Sequence, residues 1–264
     1  MEEGITIGEF TLRQEMEESG LSREEVYERM VDNLRVMEFS TSKGVGEKVI
    51  SVSGLIGGDA YRLGKYLKKG QSVSGNVMVK AMSYALSCSE VNASMGKIVA
   101  CPTAGACGIL PAVIMTMKEE HQVEEEDLIM GLFASAGIGA IIAQNATISG
   151  AEGGCQAECG SAAAMAAAAV VEIMGGTPEM CLNAGAIVFK NTLGLVCDPI
   201  AGLVEVPCAK RNASGAVSAI TAADMVLAGV VSRIPFDDTV AAMYSIGKSM
   251  PEALRETGIG GLAG

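Results

Sequence analysis

The sequence predicts a mostly α-helical protein in which a single all-helical domain carries loops rich in glycine and proline. Apolar residues recur at helical spacing over long stretches, whereas two-residue alternation, the pattern of strands, is scarce. Helix-starting and helix-ending residues punctuate these stretches, and neither a repeat nor a linker divides the 264 residues. We therefore expect one domain over residues 1–264, with the acidic residues 1–20 packed loosely.

The first half begins with a strong helix signal. Ser22-Arg23-Glu24-Glu25 has the capping-box pattern, and apolar residues at helical spacing follow it, so a helix is predicted over residues 23–38. Residues 40–58 are rich in glycine and serine and predict a long loop, with a short strand at Val49–Val52 as the alternative. The next predicted helices cover residues 59–68 and 75–89.

Helices of the second half have equally plain boundaries. Pro111 suits a first helical turn and predicts a helix from about 110 to 120. Acidic residues 124–127 favour the start of a helix that runs to 145. Thr177 and Pro178 provide a cap and a first-turn proline. The remaining predicted helices cover residues 161–174, 178–192, 213–230, 237–247 and 251–257.

Charge and hydropathy exclude several classes of function. The formal net charge of −12 argues against a nucleic-acid partner, which requires a basic face. Leu128–Ala151 contains no charged residue, but its polar residues and glycines, and its lack of basic or aromatic flanks, favour a buried core helix over a membrane span. The N-terminus lacks the pattern of a signal peptide, which predicts a cytoplasmic protein with reduced thiols.

Six of the eight cysteines divide into two groups by their local sequence, and Cys101 and Cys107 bracket a separate loop. Cys155 follows two glycines, Cys197 precedes Asp198-Pro199, and Cys208 follows Pro207, so all three are predicted to lie on loops. Loop thiolates near backbone amides suit an iron–sulfur cluster, and three ligands would leave one iron open. The gaps of 42 and 11 residues include no compact Cys-x-x-Cys pair, so buried structural thiols are the alternative. Thiols predicted to lie on helices, within the core, are Cys88, Cys159 and Cys181.

A second candidate site lies in the segment C-P-T-A-G-A-C-G-I-L-P-A-V, from Cys101 to Val113. Thr103–Gly108 is a loop of small residues that leads into the helix containing Pro111. Free amides and the positive end of a helix dipole make such a loop a candidate anion site. A tight packing turn explains the same residues equally well.

Four long strings give this chain a resemblance to a known family. They are P-T-A-G-A-C-G, N-A-T-I-S-G-A-E-G-G-C-Q-A-E, L-G-L-V-C-D-P-I-A-G-L-V-E-V-P-C-A-K-R-N-A and M-P-E-A-L-R-E-T-G-I-G-G-L-A. From about Gly54 to Ala263 the chain resembles the α subunit of iron–sulfur-dependent L-serine dehydratase, of the two-chain bacterial type.

The resemblance implies deamination of L-serine to pyruvate and ammonia with a [4Fe-4S] cluster in place of pyridoxal phosphate. It implies that Cys155, Cys197 and Cys208 bind the cluster, and that the open iron acts as a Lewis acid on the substrate hydroxyl. The implied substrate-pocket residues are Thr103, Ala104, Gly105, Ala106, Cys107, Gly108, Asn145 and Ser149. Cys107 is expected to line the pocket and not to be a fourth ligand.

The catalytic base is missing from this picture. His121, the single histidine, lies in K-E-E-H-Q-V, where a solvated helix end explains it better than catalysis. The family's β subunit carries a Ser-His-Thr motif that this chain lacks. The resemblance therefore implies an L-serine dehydratase β subunit as the partner that completes the pocket.

Other functions are compatible with the same residues. A related cluster-dependent threonine dehydratase or cysteine desulfhydrase would differ only in the substrate that the pocket admits. A non-catalytic iron–sulfur or structural subunit belongs to a different class, and a membrane component ranks last.

Overall fold

The computed structural model describes residues 4–264, and within that range it contains α-helices, a π-helical turn and short 3-10 turns but no strand. The mostly α fold class is therefore confirmed. The helices are α1 (Ile7–Ser19), α2 (Arg23–Gly46), α3 (Asp59–Leu67), α4 (Asn76–Ala93), α5 (Ile109–Glu120), α6 (Glu125–Asn145), α7 (Gly150–Gly153), α8 (Ser161–Ile173), α9 (Pro178–Thr192), α10 (Cys208–Leu227) and α11 (Phe236–Ser249).

Helix α8 lies at the centre of the molecule. Every side chain from Ser161 to Val171 is buried, and the helix packs against α5, α6, α9 and α10. A helix that is apolar on all sides must be covered on all sides. Its seven alanines between Ala162 and Ala169, with Met165 among them, leave so little side-chain volume that the surrounding helices can approach closely. This central helix begins directly after the segment that carries Cys155.

Helix α6 is the long uncharged segment of the sequence. By length and composition alone it could cross a membrane, but half of its apolar window is buried inside the protein, where it packs against α1 and α8. A core helix passes the same test, so this feature is weak evidence for a membrane span. The predicted helix is therefore buried over its first half, and its last turns are largely exposed.

The expectation of a loosely packed N-terminus is wrong for the described part of that segment, and residues 1–3 lie outside the described residues. Helix α1 packs against α6, and Leu12 is fully buried. The Glu172 carboxylate of α8 accepts hydrogen bonds from the backbone amides of Ile7 at 3.2 Å and Gly8 at 2.8 Å. A half-buried acceptor for two otherwise unpaired helix amides fixes the start of α1.

The predicted loop over residues 40–58 is also partly wrong, because α2 continues to Gly46. Gly44 lies inside the helix where its backbone meets Ser87 of α4. A Cβ at Gly44 would lie 2.8 Å from the Ser87 Oγ, and its amide donates to that oxygen at 2.8 Å. The glycine therefore serves close helix packing and does not end the helix. The alternative strand at Val49–Val52 is reduced to an isolated bridge between Ile50 and Gly57.

Two further helix boundaries, both near the cysteines, differ from the predicted ones. Helix α10 begins at Cys208 and not at 213, because Pro207 precedes a helix start as readily as it sits in a loop. The predicted helix 251–257 is only a 3-10 turn at Glu252–Leu254. By contrast, the capping box of α2 and the Thr177 cap of α9 form as predicted.

Candidate metal centre

Three cysteines from separate segments come together at one site. Cys155 lies between α7 and a π-helical turn at Gln156–Gly160, Cys197 lies on an extended segment, and Cys208 is the first residue of α10. Burial and then the charges of its neighbours, including Cys155 and Cys208, raise the pKa of Cys197. Burial and then the charge of Cys155 raise the pKa of Cys208 to about 12. Side chains that perturb one another in this way lie close together.

A glycine and a buried glutamine fix the position of Cys155. Gly154 adopts a φ of +75°, which a residue with a Cβ rarely adopts, and a Cβ there would lie 2.8 Å from the Leu195 carbonyl oxygen. The fully buried Gln156 donates to the carbonyl oxygens of Gly153 and Met243, each at 2.9 Å. The turn that presents Cys155 is therefore anchored on both sides.

Cys197 is fixed by the C-terminal segment of the chain. Its amide donates to the Leu254 carbonyl oxygen at 2.9 Å, and its own carbonyl oxygen accepts from the Glu256 amide at 2.7 Å. The next residue, Asp198, accepts from the amide of Leu262 at 2.9 Å. The string that ends the chain thus packs directly beside this cysteine.

A fourth thiol and one cation complete the immediate surroundings of Cys155. Interaction with the neighbouring Cys159 thiol lowers the pKa of Cys155 and raises that of Cys159. The Arg211 guanidinium lowers the pKa of Cys155 further. Arg211 also donates to the Val196 carbonyl oxygen at 2.8 Å and pairs with Asp198 at 2.8 Å. Cys155 is therefore the site thiol with the strongest support for its thiolate form.

Cys159 was predicted to be a core thiol, and its burial agrees with that expectation. Its contact with Cys155 was not anticipated. The four-residue separation of these cysteines is the sequence signal that could have suggested it, since side chains at that spacing meet on one helix face.

Two carboxylates also lie beside these cysteines, and no local sequence pattern predicts either of them. The Oε2 of Glu158 lies 4.0 Å from the Sγ of Cys197. The ligand atoms of Glu158, Cys197 and Glu256 all lie within 4.8 Å of one another. Burial is the main cause that raises the pKa of Glu158. An isolated acid in the alanine-rich stretch before α8 was the available signal, because a buried charge needs a reason.

The first residues of the small-residue loop at 103–108 lie beside Glu158. A Cβ at Gly105 would lie 3.3 Å from both carboxylate oxygens of Glu158, and the nearby Thr103 hydroxyl offsets part of the rise in the pKa of Glu158. Ala104, between these two residues, is exposed.

The other end of the loop faces the core. Ala106 is fully buried, and the buried Cys107 thiol donates to the Cys88 carbonyl oxygen at 3.9 Å. The Gly108 amide, which could have faced an anion, donates instead to the Asn212 side chain at 2.8 Å.

The other sequence-predicted residues lie at different distances from the cysteines. Ser149 immediately precedes Gly150, which lies against Glu158 and Cys197. Asn145 is exposed at the end of α6 and borders a cleft shared with Asp237 of α11. His121 is an exposed residue at the end of α5, in a cleft whose lining includes none of the site cysteines.

The chain matches the family described as "Serine dehydratase alpha chain" over residues 2–263. The chain belongs to this serine dehydratase alpha chain family. It is 53% identical over 262 residues to the "Probable L-serine dehydratase, alpha chain" of Bacillus subtilis (strain 168), covering 99% of this chain and 87% of the relative. Identity to the "L-serine dehydratase, alpha chain" of Peptoniphilus asaccharolyticus is 50% over 263 residues, covering 100% of this chain and 90% of the relative.

A third relative is longer than this chain. The "L-serine dehydratase" of Streptomyces coelicolor is 37% identical over 265 residues, which cover 99% of this chain but 58% of the relative. The serine dehydratase alpha chain thus corresponds to only part of that protein.

The site has the donors that a thiolate-bound metal cluster needs. Cysteine thiolates are the ligands of iron–sulfur clusters, and three of them converge here. Gly150 lets the backbone approach these donors closely, because a Cβ there would lie 3.1 Å from the Cys197 Sγ and 2.7 Å from the Glu158 Oε2. A glycine in this cradle and a soft donor set are both compatible with a cluster.

Proposed function

We propose that this chain is the α subunit of an L-serine ammonia-lyase, in which Cys155, Cys197 and Cys208 bind a [4Fe-4S] cluster. The observation that carries the proposal is the convergence of these three thiols, from three segments, in a member of the serine dehydratase alpha chain family. All eight cysteines are free thiols, which is compatible with a reducing, cytoplasmic location.

The reaction is an elimination. Loss of the Cα proton and of the β-hydroxide from L-serine gives aminoacrylate and water, and hydrolysis of aminoacrylate gives pyruvate and ammonia. When bound, a cluster with three cysteine ligands supplies a Lewis-acidic iron that makes hydroxide a better leaving group. The residues of the chain itself hold and orient the cluster ligands. Cys159 and the positive charge of Arg211 both favour the thiolate form of Cys155 by lowering its pKa.

A β partner supplies the base in this proposal. The only histidine of the chain, His121, lies in a cleft apart from the cysteines. A general base must come within hydrogen-bonding reach of the proton that it removes. The Cα proton therefore goes to a group on the partner chain.

The surface around the cysteines supports docking of that partner. Contacts between Ser53 and Glu205 and between Gly202 and Gly258 join the segments that surround the site. Exposed apolar residues along these segments are Val52, Leu55, Ile200, Leu203, Ile259 and Leu262. An apolar rim of this kind is typical of a protein interface.

Anaerobic reconstitution tests the proposal. The chain is loaded with iron and sulfide, iron is counted, and pyruvate release from L-serine is assayed with and without a β subunit. We expect about four irons per chain, lost in Cys155→Ala, Cys197→Ala and Cys208→Ala, and turnover only with the partner. Iron binding without turnover of any amino acid would leave a non-catalytic cluster subunit.

Matched cysteine variants make the ligand assignment specific. Cys181→Ala removes a buried thiol from α9 and Cys107→Ala one from the pocket loop, and both should keep full iron content. Cys159→Ala should also keep it, since Cys159 acts through Cys155. Loss of iron in Cys159→Ala would show that Cys159 is itself a cluster ligand, and the assignment of the three ligands would then be wrong. Release of oxobutyrate from threonine, or of sulfide from cysteine, faster than pyruvate from L-serine would identify a related lyase instead.

A further inference from the structure

The carboxylates of Glu158 and Glu256 meet at the cysteine group without a matching cation. Neither takes part in an ion pair within residues 4–264, although the chain forms eleven such pairs there. Arg211, whose charge acts on Cys155, pairs with Asp198 instead. Two carboxylates held this close repel each other when both are ionised, unless a positive group joins them.

Both carboxylates are held in place by the fold. Glu158 lies on the π-helical turn between Gly105 and Gly150, where a Cβ on either glycine would press against its oxygens. Glu256 adopts a φ of +63°, and its amide donates to the Cys197 carbonyl oxygen at 2.7 Å. A non-glycine residue in this left-handed conformation is uncommon and needs surrounding contacts to hold it.

An unpaired hydroxyl lies at the same place. The Oγ1 of Thr103 is buried and has no hydrogen-bond partner among the described residues. It lies near enough to Glu158 to act on that carboxyl. A buried polar atom without a partner calls for a ligand that supplies one.

The number and kind of these groups indicate the ligand. Two carboxylates and one hydroxyl oxygen are three acceptors, and an alkylammonium group has three N–H donors and no acceptor. Cys197 is taken by the cluster in the proposed function, which leaves few oxygen ligands for a separate metal ion. A primary ammonium group fits better than a metal.

We propose that Glu158 and Glu256, together with the Thr103 hydroxyl, bind the α-ammonium group of the amino-acid substrate. This inference rests on the proposed function, in which the cluster beside Cys197 takes the hydroxyl end of the substrate. The three residues are then positioning and specificity residues, and they select an amino acid over the corresponding acid without an amino group.

A pair of ligands separates this role from others. L-serine and β-hydroxypropionate share a carboxylate and a β-hydroxyl, but β-hydroxypropionate has hydrogen in place of the amino group. The experiment uses the reconstituted α subunit with its β partner, and it measures iron content, the KM and kcat for L-serine and the inhibition constant of β-hydroxypropionate. Binding of both ligands is also followed through the visible absorption of the cluster.

Glu158→Gln and Glu256→Gln should each weaken L-serine binding by about 10-fold or more, as expected for one hydrogen bond to a charged group. Iron content and the affinity for β-hydroxypropionate should stay unchanged. The wild-type enzyme could bind β-hydroxypropionate too weakly to measure. In that case the affinity of each variant for L-serine should fall towards this low value. Glu152→Gln and Glu252→Gln alter exposed acids in the same two segments and should change neither ligand's affinity.

Several outcomes would overturn the inference. Equal weakening of both ligands, loss of iron in the glutamine variants, or a fall in kcat without a change in KM would each assign the carboxylates another role. Failure of the proposed function looks different, because the wild-type enzyme would then lack iron or lack turnover of L-serine.

Discussion

Asn212 of α10 binds both ends of the loop that precedes α5. Its Oδ1 accepts from the Gly108 amide at 2.8 Å, and its Nδ2 donates to the Gly105 carbonyl oxygen at 2.7 Å. Nδ2 also donates to the carbonyl oxygen of Cys208, one turn earlier on the same helix, at 2.9 Å. One buried side chain therefore connects the predicted pocket loop to a predicted cluster ligand.

Replacement of this side chain should uncouple the loop from α10. We expect Asn212→Ala to lower the free energy of unfolding by about 2–3 kcal/mol, because buried partners lose their hydrogen bonds. In the assembled enzyme it should also raise the KM for L-serine. Urea unfolding of the free chain and steady-state kinetics measure the two effects. Asn145→Ala, at an exposed site, should change stability by less than about 0.5 kcal/mol, and a similar loss there would contradict the coupling.

Gly150 should tolerate no side chain. The Cβ of Gly150→Ala would press on Glu158 and Cys197, and such overpacking costs about 1–3 kcal/mol. We expect reconstituted iron to fall clearly below the wild-type level. Gly46→Ala is the matched control, since a Cβ there meets nothing within 4 Å. Full iron content in Gly150→Ala would show that the space beside Cys197 is not needed for loading.

Glu172 should anchor the N-terminal helix. Glu172→Ala leaves the amides of Ile7 and Gly8 without their acceptor, and we expect a loss of about 1–3 kcal/mol in the free energy of unfolding. Hydrogen exchange should rise in α1 before it rises in α8. Glu17→Ala, on the exposed face of α1, serves as the control. Unchanged protection of α1 in Glu172→Ala would mean that apolar packing of Leu12 alone holds the helix.

Glu9 should make stability depend on acidity. Hydrogen bonds from Arg23, with support from Arg13, lower the pKa of Glu9 from 4.5 to about 2. A carboxyl whose pKa is lower in the folded state stabilises that state above its ordinary pKa. The contribution is therefore lost as the pH falls from 4.5 towards 2. At neutral pH we expect Glu9→Gln to cost up to about 1 kcal/mol, since the pair is partly exposed.

Urea unfolding at a series of pH values tests this dependence. The difference between wild type and Glu9→Gln should shrink steadily below the ordinary pKa of the carboxyl. Glu17→Gln, which lacks such partners, should show no comparable trend. A constant difference across the series would indicate that the substitution acts through packing and not through the ion pairs.

Local sequence patterns predicted much of this fold. The boundaries of α5, α6, α8 and α9 follow from prolines, capping residues and acidic first turns, which act within a single helical turn. Where the patterns failed, a distant residue decided the local structure. Gly44 stays helical because Ser87 lies against it, and α1 is ordered because Glu172 binds its first amides.

The sequence by itself determined the α-helical class, the buried alanine-rich helix and the choice of Cys155, Cys197 and Cys208 as a set, because these depend on periodicity, turn residues and a resemblance carried by long strings. Only the tertiary structure decided which side chains surround that set. Glu158, Glu256, Asn212 and Cys159 became visible as neighbours of the cysteines only in the folded chain. Contacts such as Gly108 with Asn212, 104 residues apart, arise from helix packing and leave no local pattern to read.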